Sequence, residues 1–409
     1  MIKNLLAFHF SLFIFNFSLA QSWVPVGGGL HAPVGGKGGV SSLCTYGDKL
    51  YAGGLFKLAG SLQVNNIASW DGTKWDSLKS GTNGCVEALF VFHNQLCVGG
   101  TFTQAGKKRV DRLAHWIDTA NTAPDWYNLG ATFVSLKDEG PSAPNFYAVG
   151  PFAEYHDRLY VAGAFGYPGC AINHVGVLNN GKWTYLSSTK CSVNGDTIRP
   201  LATASIWNLG TGLAVYNDKL FATGTYVIID RTLSNWPVKA EDVASWDDKK
   251  SSVNFLTPKN YSSPYASCLT IYTSQLYAAG VFADGNKELY KVAFWDNDHW
   301  SPLPDAPNSE VRAMIEYDGK LYVGGGFDSA GGKPAKAIAV WDGHTWSAVG
   351  KGFTDHGHVG SVDTFVIYNG ELYAGGSFNA SGDQPLTNIA KLNLNGTRPA
   401  PTPPNKKQE

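Results

Sequence analysis

Residues Val311 to Gly350 read VRAMIEYDGKLYVGGGFDSAGGKPAKAIAVWDGHTWSAVG. Apolar positions alternate through VRAMIEY, LYVGG, AIAVW and TWSAV, the period of short strands with one buried face. Asp318-Gly319 and Asp342-Gly343 supply residues that tolerate positive φ, and each is expected to close a tight two-residue hairpin. Between the hairpins, the Gly-rich FDSAGGKPAK reads as a longer loop. The stretch is therefore expected to fold as one four-stranded antiparallel sheet, too small to bury both faces alone.

The unit recurs along the chain. Its second-strand signature Leu-Tyr-x-(Gly/Ala)-Gly-x-Phe, with small variations, begins at Leu50, Leu96, Leu159, Leu220, Leu276, Leu321 and Leu372, at intervals of 45 to 63 residues. A third-strand signature follows each time, as IASW (Ile67 to Trp70), LAHW, VGVL, VASW, VAFW, IAVW and IAKL (Ile389 to Leu392). Four strands repeating every 40 to 50 residues, with longer intervals absorbed by insertions, is the period of a propeller blade. Fourth strands of the form aromatic-x-x-apolar follow six of the seven third strands, Val253-Asn-Phe-Leu being the degenerate one. After the seventh the chain becomes TRPAPTPPNKKQE, whose prolines cannot form a central strand. Ser22-Trp23-Val24-Pro25-Val26-Gly27, ahead of the first repeat, carries the missing pattern. The expected fold is all-β, a seven-bladed propeller of four-stranded antiparallel blades spanning residues 21–397, with the N-terminal strand closing the ring in the last blade. Residues 398–409 read as a disordered Pro-rich tail.

Residues 1–20 combine one cation, Lys3, with an apolar run and Ser18-Leu19-Ala20, which reads as a secretory signal peptide. His9 and Asn16 interrupt that run, and no later stretch is apolar enough to span a bilayer. The chain is expected to be secreted or cell-surface, or periplasmic in a Gram-negative host. A formal net charge of −1 offers no footprint for nucleic acid or an anionic membrane. The six cysteines, Cys44, Cys85, Cys97, Cys170, Cys191 and Cys268, face an oxidising compartment. Cys170 with Cys191 is the favoured bridge, since both lie in irregular stretches of one repeat; Cys44 and Cys97 occupy core-like strand positions that suit a buried thiol equally well or better. Asn260, Asn379 and Asn395 begin N-glycosylation sequons.

The strand LYVGG followed by IAVWDGHTW resembles the kelch-type propeller repeat. The form LYxGGxFxxAGGxxxxxIAxWDGxxWxxLG is similar to that of secreted bacterial and fungal propellers, including the fungal cortical polarity markers. The resemblance covers Ser22 to Gly396, with departures at Leu178 and Phe255. It implies an architecture and leaves function open, because propellers host unrelated activities.

The glycine pairs Gly53-Gly54, Gly99-Gly100, Gly324-Gly325 and Gly375-Gly376 lie within strands, where close approach of sheets explains them better than a phosphate loop does. Tyr51, Tyr160, Tyr277, Tyr322 and Tyr373, with the repeated tryptophans, read as packing ladders. Function is expected on the face where second-to-third-strand loops and inter-blade loops meet, including the long loops 131–149 and 187–209. Arg109, Tyr167, Trp236, Lys351 and His356 are the candidate ligand contacts, by side-chain type and loop position. Asp355, His356 and His358 share one turn and are the candidate metal ligands; no other cofactor is expected. The expected role is that of a monomeric interaction module for a glycan or an extracellular protein. The alternative is an enzyme with its site at the channel mouth, such as a hydrolase or, as some kelch-type propellers are, a copper-radical oxidase.

Overall fold

The computed structural model describes residues 21–33, 36–119, 122–129, 149–167, 170–179, 181–185, 191–193, 196–198, 212–223, 243–247, 252–255, 265–283, 289–296 and 299–394. The leader, the C-terminal tail, Trp236 and most of both long inter-blade loops lie outside them. The described residues are all-β, in antiparallel sheets. Seven of these sheets have four strands and the order expected of the repeat. Sheet 1 holds Gly39–Tyr46, Lys49–Leu55, Ile67–Trp70 and Trp75–Ser77; sheet 2 holds Val86–Phe92, Gln95–Gly100, Leu113–Thr119 and Thr122–Asn128. Sheet 3 holds Val149–Tyr155, Arg158–Tyr167, Cys170–Asn179 and Lys182–Tyr185; sheet 4 holds Leu213–Tyr216, Lys219–Thr223, Val243–Asp247 and Ser252–Phe255. Sheet 5 holds Tyr265–Tyr272, Gln275–Ala283, Leu289–Asp296 and His299–Pro302; sheet 6 holds Val311–Tyr317, Lys320–Gly325, Ile338–Trp341 and Trp346–Ala348. Sheet 7 joins Ser361–Tyr368, Glu371–Ser377 and Ile389–Leu394 to the N-terminal Gln21–Pro25, with Trp23 opposite Leu392.

Of the two hairpins in sheet 6, the first is tight, with Tyr317 paired to Lys320 and both Asp318 (φ 53°) and Gly319 (φ 68°) left-handed. The second departs from the two-residue expectation. Trp341 pairs with Trp346, leaving a four-residue loop in which Asp342 Oδ1 accepts from the amides of His344 and Thr345. A carboxylate that satisfies two loop amides makes the longer turn self-contained. These bonds hold the Asp342 carboxyl below its usual range, and in the matching loop of sheet 1 the Thr73 hydroxyl, with the Lys74 and Thr73 amides, lowers that of Asp71 to about 2. The loop FDSAGGKPAK is also more ordered than expected, since Ser329–Ala330 pairs with Lys333–Pro334.

The core lies between neighbouring sheets. Tyr51, Tyr160, Tyr277, Tyr322 and Tyr373 are all buried there. A Cβ on Gly324 would sit 2.5 Å from Val362 Cγ1 of sheet 7, and one on Gly375 would sit 2.7 Å from Val40 Cγ1 of sheet 1. No side chain fits at that separation, which accounts for the glycine pairs. First strands of successive sheets neighbour one another from sheet 1 through sheet 7, and that of sheet 7 neighbours that of sheet 1.

Two hydrogen bonds recur at these junctions. Fourth-strand indoles donate to a carbonyl following the previous sheet, as Trp126 Nε1 to Leu78 O (2.9 Å), Trp183 Nε1 to Leu129 O (3.0 Å), Trp346 Nε1 to Pro304 O (2.9 Å) and Trp23 Nε1 to Val349 O (3.3 Å). Tyrosines ending the first strands donate to a carbonyl in the next sheet's turn, as Tyr155 to Asp218 (2.9 Å), Tyr272 to Gly319 (3.3 Å), Tyr317 to Gly370 (3.1 Å) and Tyr368 to Asp48 (2.9 Å).

Cys44, Cys85, Cys97 and Cys268 are free, which agrees with the buried-thiol reading of Cys44 and Cys97. Burial pushes the Cys44, Cys97 and Cys268 thiols up to about 12, so they behave as packing groups. The side chains of Cys170 and Cys191 lie outside the described residues.

Candidate functional site

The loop entering a sheet binds that sheet's own second-to-third-strand hairpin. Leu30–His31 pairs with Leu58–Ala59, Thr82 bridges Ala105, and Thr354 pairs with Ala380. In sheet 6 Asn308 Oδ1 accepts from the amides of Asp328 and Ser329, and Asn83 Oδ1 does the same for Thr103 and Gln104 in sheet 2. An asparagine that satisfies hairpin amides fixes the loop without a ladder, and the two loop classes share one face, as the repeat implied.

On that face, where sheet 7 meets sheet 1, lies a cavity of about 720 Å³. One wall is His31, Ala32 and Gly36 to Gly38, from the loop entering sheet 1; the others are Asp355 and His356, from the loop entering sheet 7, and Ser377 to Asn379 with Thr387 and Asn388. Leu30 anchors the first wall, being fully buried, with its amide donating to Thr387 O (3.0 Å) and its carbonyl accepting from Asn388 Nδ2 (2.7 Å). His31 Nε2 donates to Gly28 O at 2.9 Å, which fixes the tautomer and leaves Nδ1 as an acceptor.

Opposite, His356 sits at a left-handed turn position (φ 49°), and its amide donates to Asn379 Oδ1 at 3.2 Å. Its Nδ1 donates to Asp355 Oδ1 at 2.8 Å, so Nε2 is the atom left for a ligand. The His356 side chain is 82% exposed and that of Asp355 47%, so the pair is open to an incoming group. Lys37 adds an exposed ammonium. The arrangement offers a cation, two oriented imidazoles, a carboxylate and amide and hydroxyl groups around a concave space, with the Phe378 side chain buried in the core behind it. Asn379, a sequon residue, is half-buried in this wall.

Of the ligand contacts expected from sequence, the cavity takes His356 alone. Arg109 is exposed on the Lys108–Arg109 strand of the sheet 2 hairpin, paired to Gln104. Lys351 is exposed, with its stem against Gly382. Tyr167 belongs to the second strand of sheet 3 with its side chain outside the described residues, and Trp236 is outside them altogether. Of the metal candidates, Asp355 and His356 line the cavity and His358 stands across the hairpin from Asp355. Sequence reasoning missed His31, Lys37, Thr387 and Asn388. The signal that finds them is the N-terminal strand: its place in sheet 7 brings residues 27–33 and 36–38 beside the loop entering that sheet.

Residues 369–398 match a family model described as a beta-propeller domain of unknown function (DUF5122). No curated protein matches the chain. Among solved structures, the chain is similar to the extracellular domain of a protein assigned as a one component system from B. thetaiotaomicron, at 11% identity and a TM-score of 0.50. That likeness covers 91% of this chain and 39% of the other, so the chain spans well under half of that domain. It is also similar to the beta-propeller domain of the Trilobed protease from Pyrococcus furiosus (12% identity, TM-score 0.46, covering 83% of this chain and 91% of that one). The computationally designed Ika8 protein aligns at 14% identity and a TM-score of 0.43, covering 90% and 99% of the two chains. The repeat match and the sheet architecture make this a beta-propeller domain.

Proposed function

We propose that this beta-propeller is a secreted glycan-binding module, and that its ligand occupies the cavity between the loops of sheets 7 and 1. The observation that carries the reading is that cavity: about 720 Å³ of concave space on the loop face, ringed by His31, Lys37, Asp355, His356 and Asn379. Its volume falls in the range of small-molecule sites, about 300–1,000 Å³, and suits a short oligosaccharide better than a flat protein surface. Convergent donors and acceptors suit the hydroxyls of sugars.

The architecture belonging to this reading is a kelch-type ring of seven blades, closed by the N-terminal strand. Its support is the seven repeat signatures, the seven four-stranded sheets that have the repeat order and the sheet 7 to sheet 1 contacts. Secretion is supported by the leader pattern of residues 1–20 and by the fold shared with an extracellular domain. No helix of the described residues is long and apolar enough to cross a membrane.

A glycan array probed with the protein tests the reading. His31→Ala, Lys37→Ala and His356→Ala should each weaken binding of the array hit about tenfold, the ~1.4 kcal/mol scale of one charge-assisted hydrogen bond. Asp318→Ala and Asn369→Ala, in turns on the opposite face, should leave it unchanged. Equal losses on both faces, or capture of a protein ligand with no array hit, would overturn the glycan reading.

A further inference from the structure

On the turn side of the molecule, away from the cavity, one group of side chains converges that neither the fold nor the proposed ligand site uses. His93 lies in the first turn of sheet 2, while Glu154 and Asp157 come from the end of the first strand and the first turn of sheet 3. One ligand atom from each of the three lies within 4.8 Å of the others, and all three residues are exposed. The imidazole is held in place: His93 is left-handed (φ 46°), and its ring stacks on Phe92 with centroids 3.9 Å apart and planes 17° from parallel. Its Nε2 meets Asp157 Oδ1 at 2.7 Å. The Glu154 carboxylate makes no hydrogen bond or ion pair among the described residues, although it stands beside a second carboxylate.

The repeat supplies an internal control. At the next junction His156 stacks on Tyr155 (4.0 Å) and meets Asp218 Oδ1 at 2.7 Å, reproducing the His–Asp pair. The place of Glu154 is taken there by exposed Val215, which offers no ligand atom. That the penultimate first-strand position can reach the preceding sheet's turn is visible in sheet 6, where Glu316 Oε2 accepts from the Thr273 amide at 3.2 Å. Glu154 thus turns a hydrogen-bonded pair into a three-donor set.

We propose that His93, Glu154 and Asp157 bind one divalent transition-metal ion of the zinc type, tying sheet 2 to sheet 3. One neutral imidazole and two carboxylates match the borderline preference of such ions and neutralise their charge. Metal–ligand bonds of about 2.0–2.2 Å require the three atoms to draw together around the ion, which exposed side chains do by small rotations. The remaining positions go to water.

The test is calorimetric titration of the chelator-stripped protein with zinc chloride, alongside thermal melts with and without zinc. One equivalent should bind and raise the melting temperature. His93→Ala, Glu154→Gln and Asp157→Asn should each weaken zinc binding by at least about tenfold, the lower end of the loss seen even for groups that only support a ligand. The His93–Asp157 pair is exposed, so the melts without zinc should shift only slightly, by far less than the gain that zinc gives. The double variant His356→Ala/His358→Ala should still bind, and Val215→Glu should gain a second equivalent at the His156–Asp218 junction. Absence of zinc uptake, or uptake lost in the His356/His358 variant and kept in His93→Ala, would overturn the proposal.

Discussion

The junction of sheets 6 and 7 and the junction of sheets 7 and 1 share two recurring contacts and differ in a third, since Trp75 Nε1, the fourth-strand indole of sheet 1, is buried without a hydrogen-bond partner among the described residues. At the first, Gly324 faces Val362, Tyr317 donates to Gly370 O, and Trp23 donates to Val349 O. At the second, Gly375 faces Val40 and Tyr368 donates to Asp48 O. The polar supplements differ. Arg312 of sheet 6 reaches Asp363 (3.1 Å) and Ser361 (2.9 Å) of sheet 7, whereas the sheet 7 to sheet 1 junction uses neutral groups, with the Leu43 amide on Thr364 Oγ1 (3.1 Å) and Asn388 on Leu30 O. Chain connectivity differs more. Sheet 7 hands the chain to sheet 1 only through Gln21–Pro25, a strand attached to the rest of sheet 7 by its pairing with Ile389–Leu394. Two of the recurring contacts therefore serve both junctions, and at the seam between Gln21–Pro25 and Ile389–Leu394 noncovalent pairing takes the place of a covalent link.

The strongest way to break this equivalence is to remove the seam strand. Deleting Ser22 to Gly27 should cost more than the ~3–5 kcal/mol of a buried tryptophan, because an open sheet edge is exposed as well. It should lower the melting temperature and produce aggregates by size-exclusion chromatography; a monomer with an unaltered melt would show that the seam contributes nothing. Trp23→Ala and Trp341→Ala should each cost roughly 3–5 kcal/mol in denaturant unfolding, since both indoles are buried and Trp341 also packs on Trp346 at 5.2 Å. A Trp23 variant losing under about 0.5 kcal/mol, the scale of a surface change, would separate the seam from the ordinary junctions.

Gly324→Ala and Gly375→Ala introduce a methyl group where a neighbouring valine already stands, and each should cost about 1–3 kcal/mol. Matching losses would show both junctions equally tight; a tolerated Gly375→Ala would mark the seam as the looser. Tyr317→Phe and Tyr368→Phe remove one hydrogen bond each and should cost about 0.5–1.5 kcal/mol. Smallest is Arg312→Ala, at about 0–1 kcal/mol, because its side chain is 44% exposed and the pair is screened by salt. Its effect should fade at high ionic strength, whereas the Tyr368 and Gly375 effects should persist.

Much of the fold is legible in the sequence because each strand must face a neighbour of the same kind. Alternation marks the strands, the glycine pair marks the approach of the next sheet, and the aromatic at a fixed offset marks the fourth strand, Trp23 included. Where the reading erred, local chemistry had more than one solution. Asp342-Gly343 fits a two-residue turn, but the Asp342 carboxylate satisfies two amides of a four-residue loop equally well. The candidate site was much less legible. Arg109 and Lys351 have suitable side chains in suitable loops, but which loops adjoin is a property of the assembled sheets.

The sequence by itself determined the repeat, its strands, the packing role of its Tyr, Trp and Gly positions, and the capacity of an N-terminal strand to serve as the last repeat's fourth. Those features follow from backbone period and side-chain burial, which act within one unit or between identical ones. Only the tertiary structure decided that His31 and Lys37 share a cavity with Asp355 and His356, and that His93 meets Glu154 and Asp157. Most exposed loop and turn side chains are not fixed by the repeat's period, and their meeting depends on how neighbouring sheets are brought side by side.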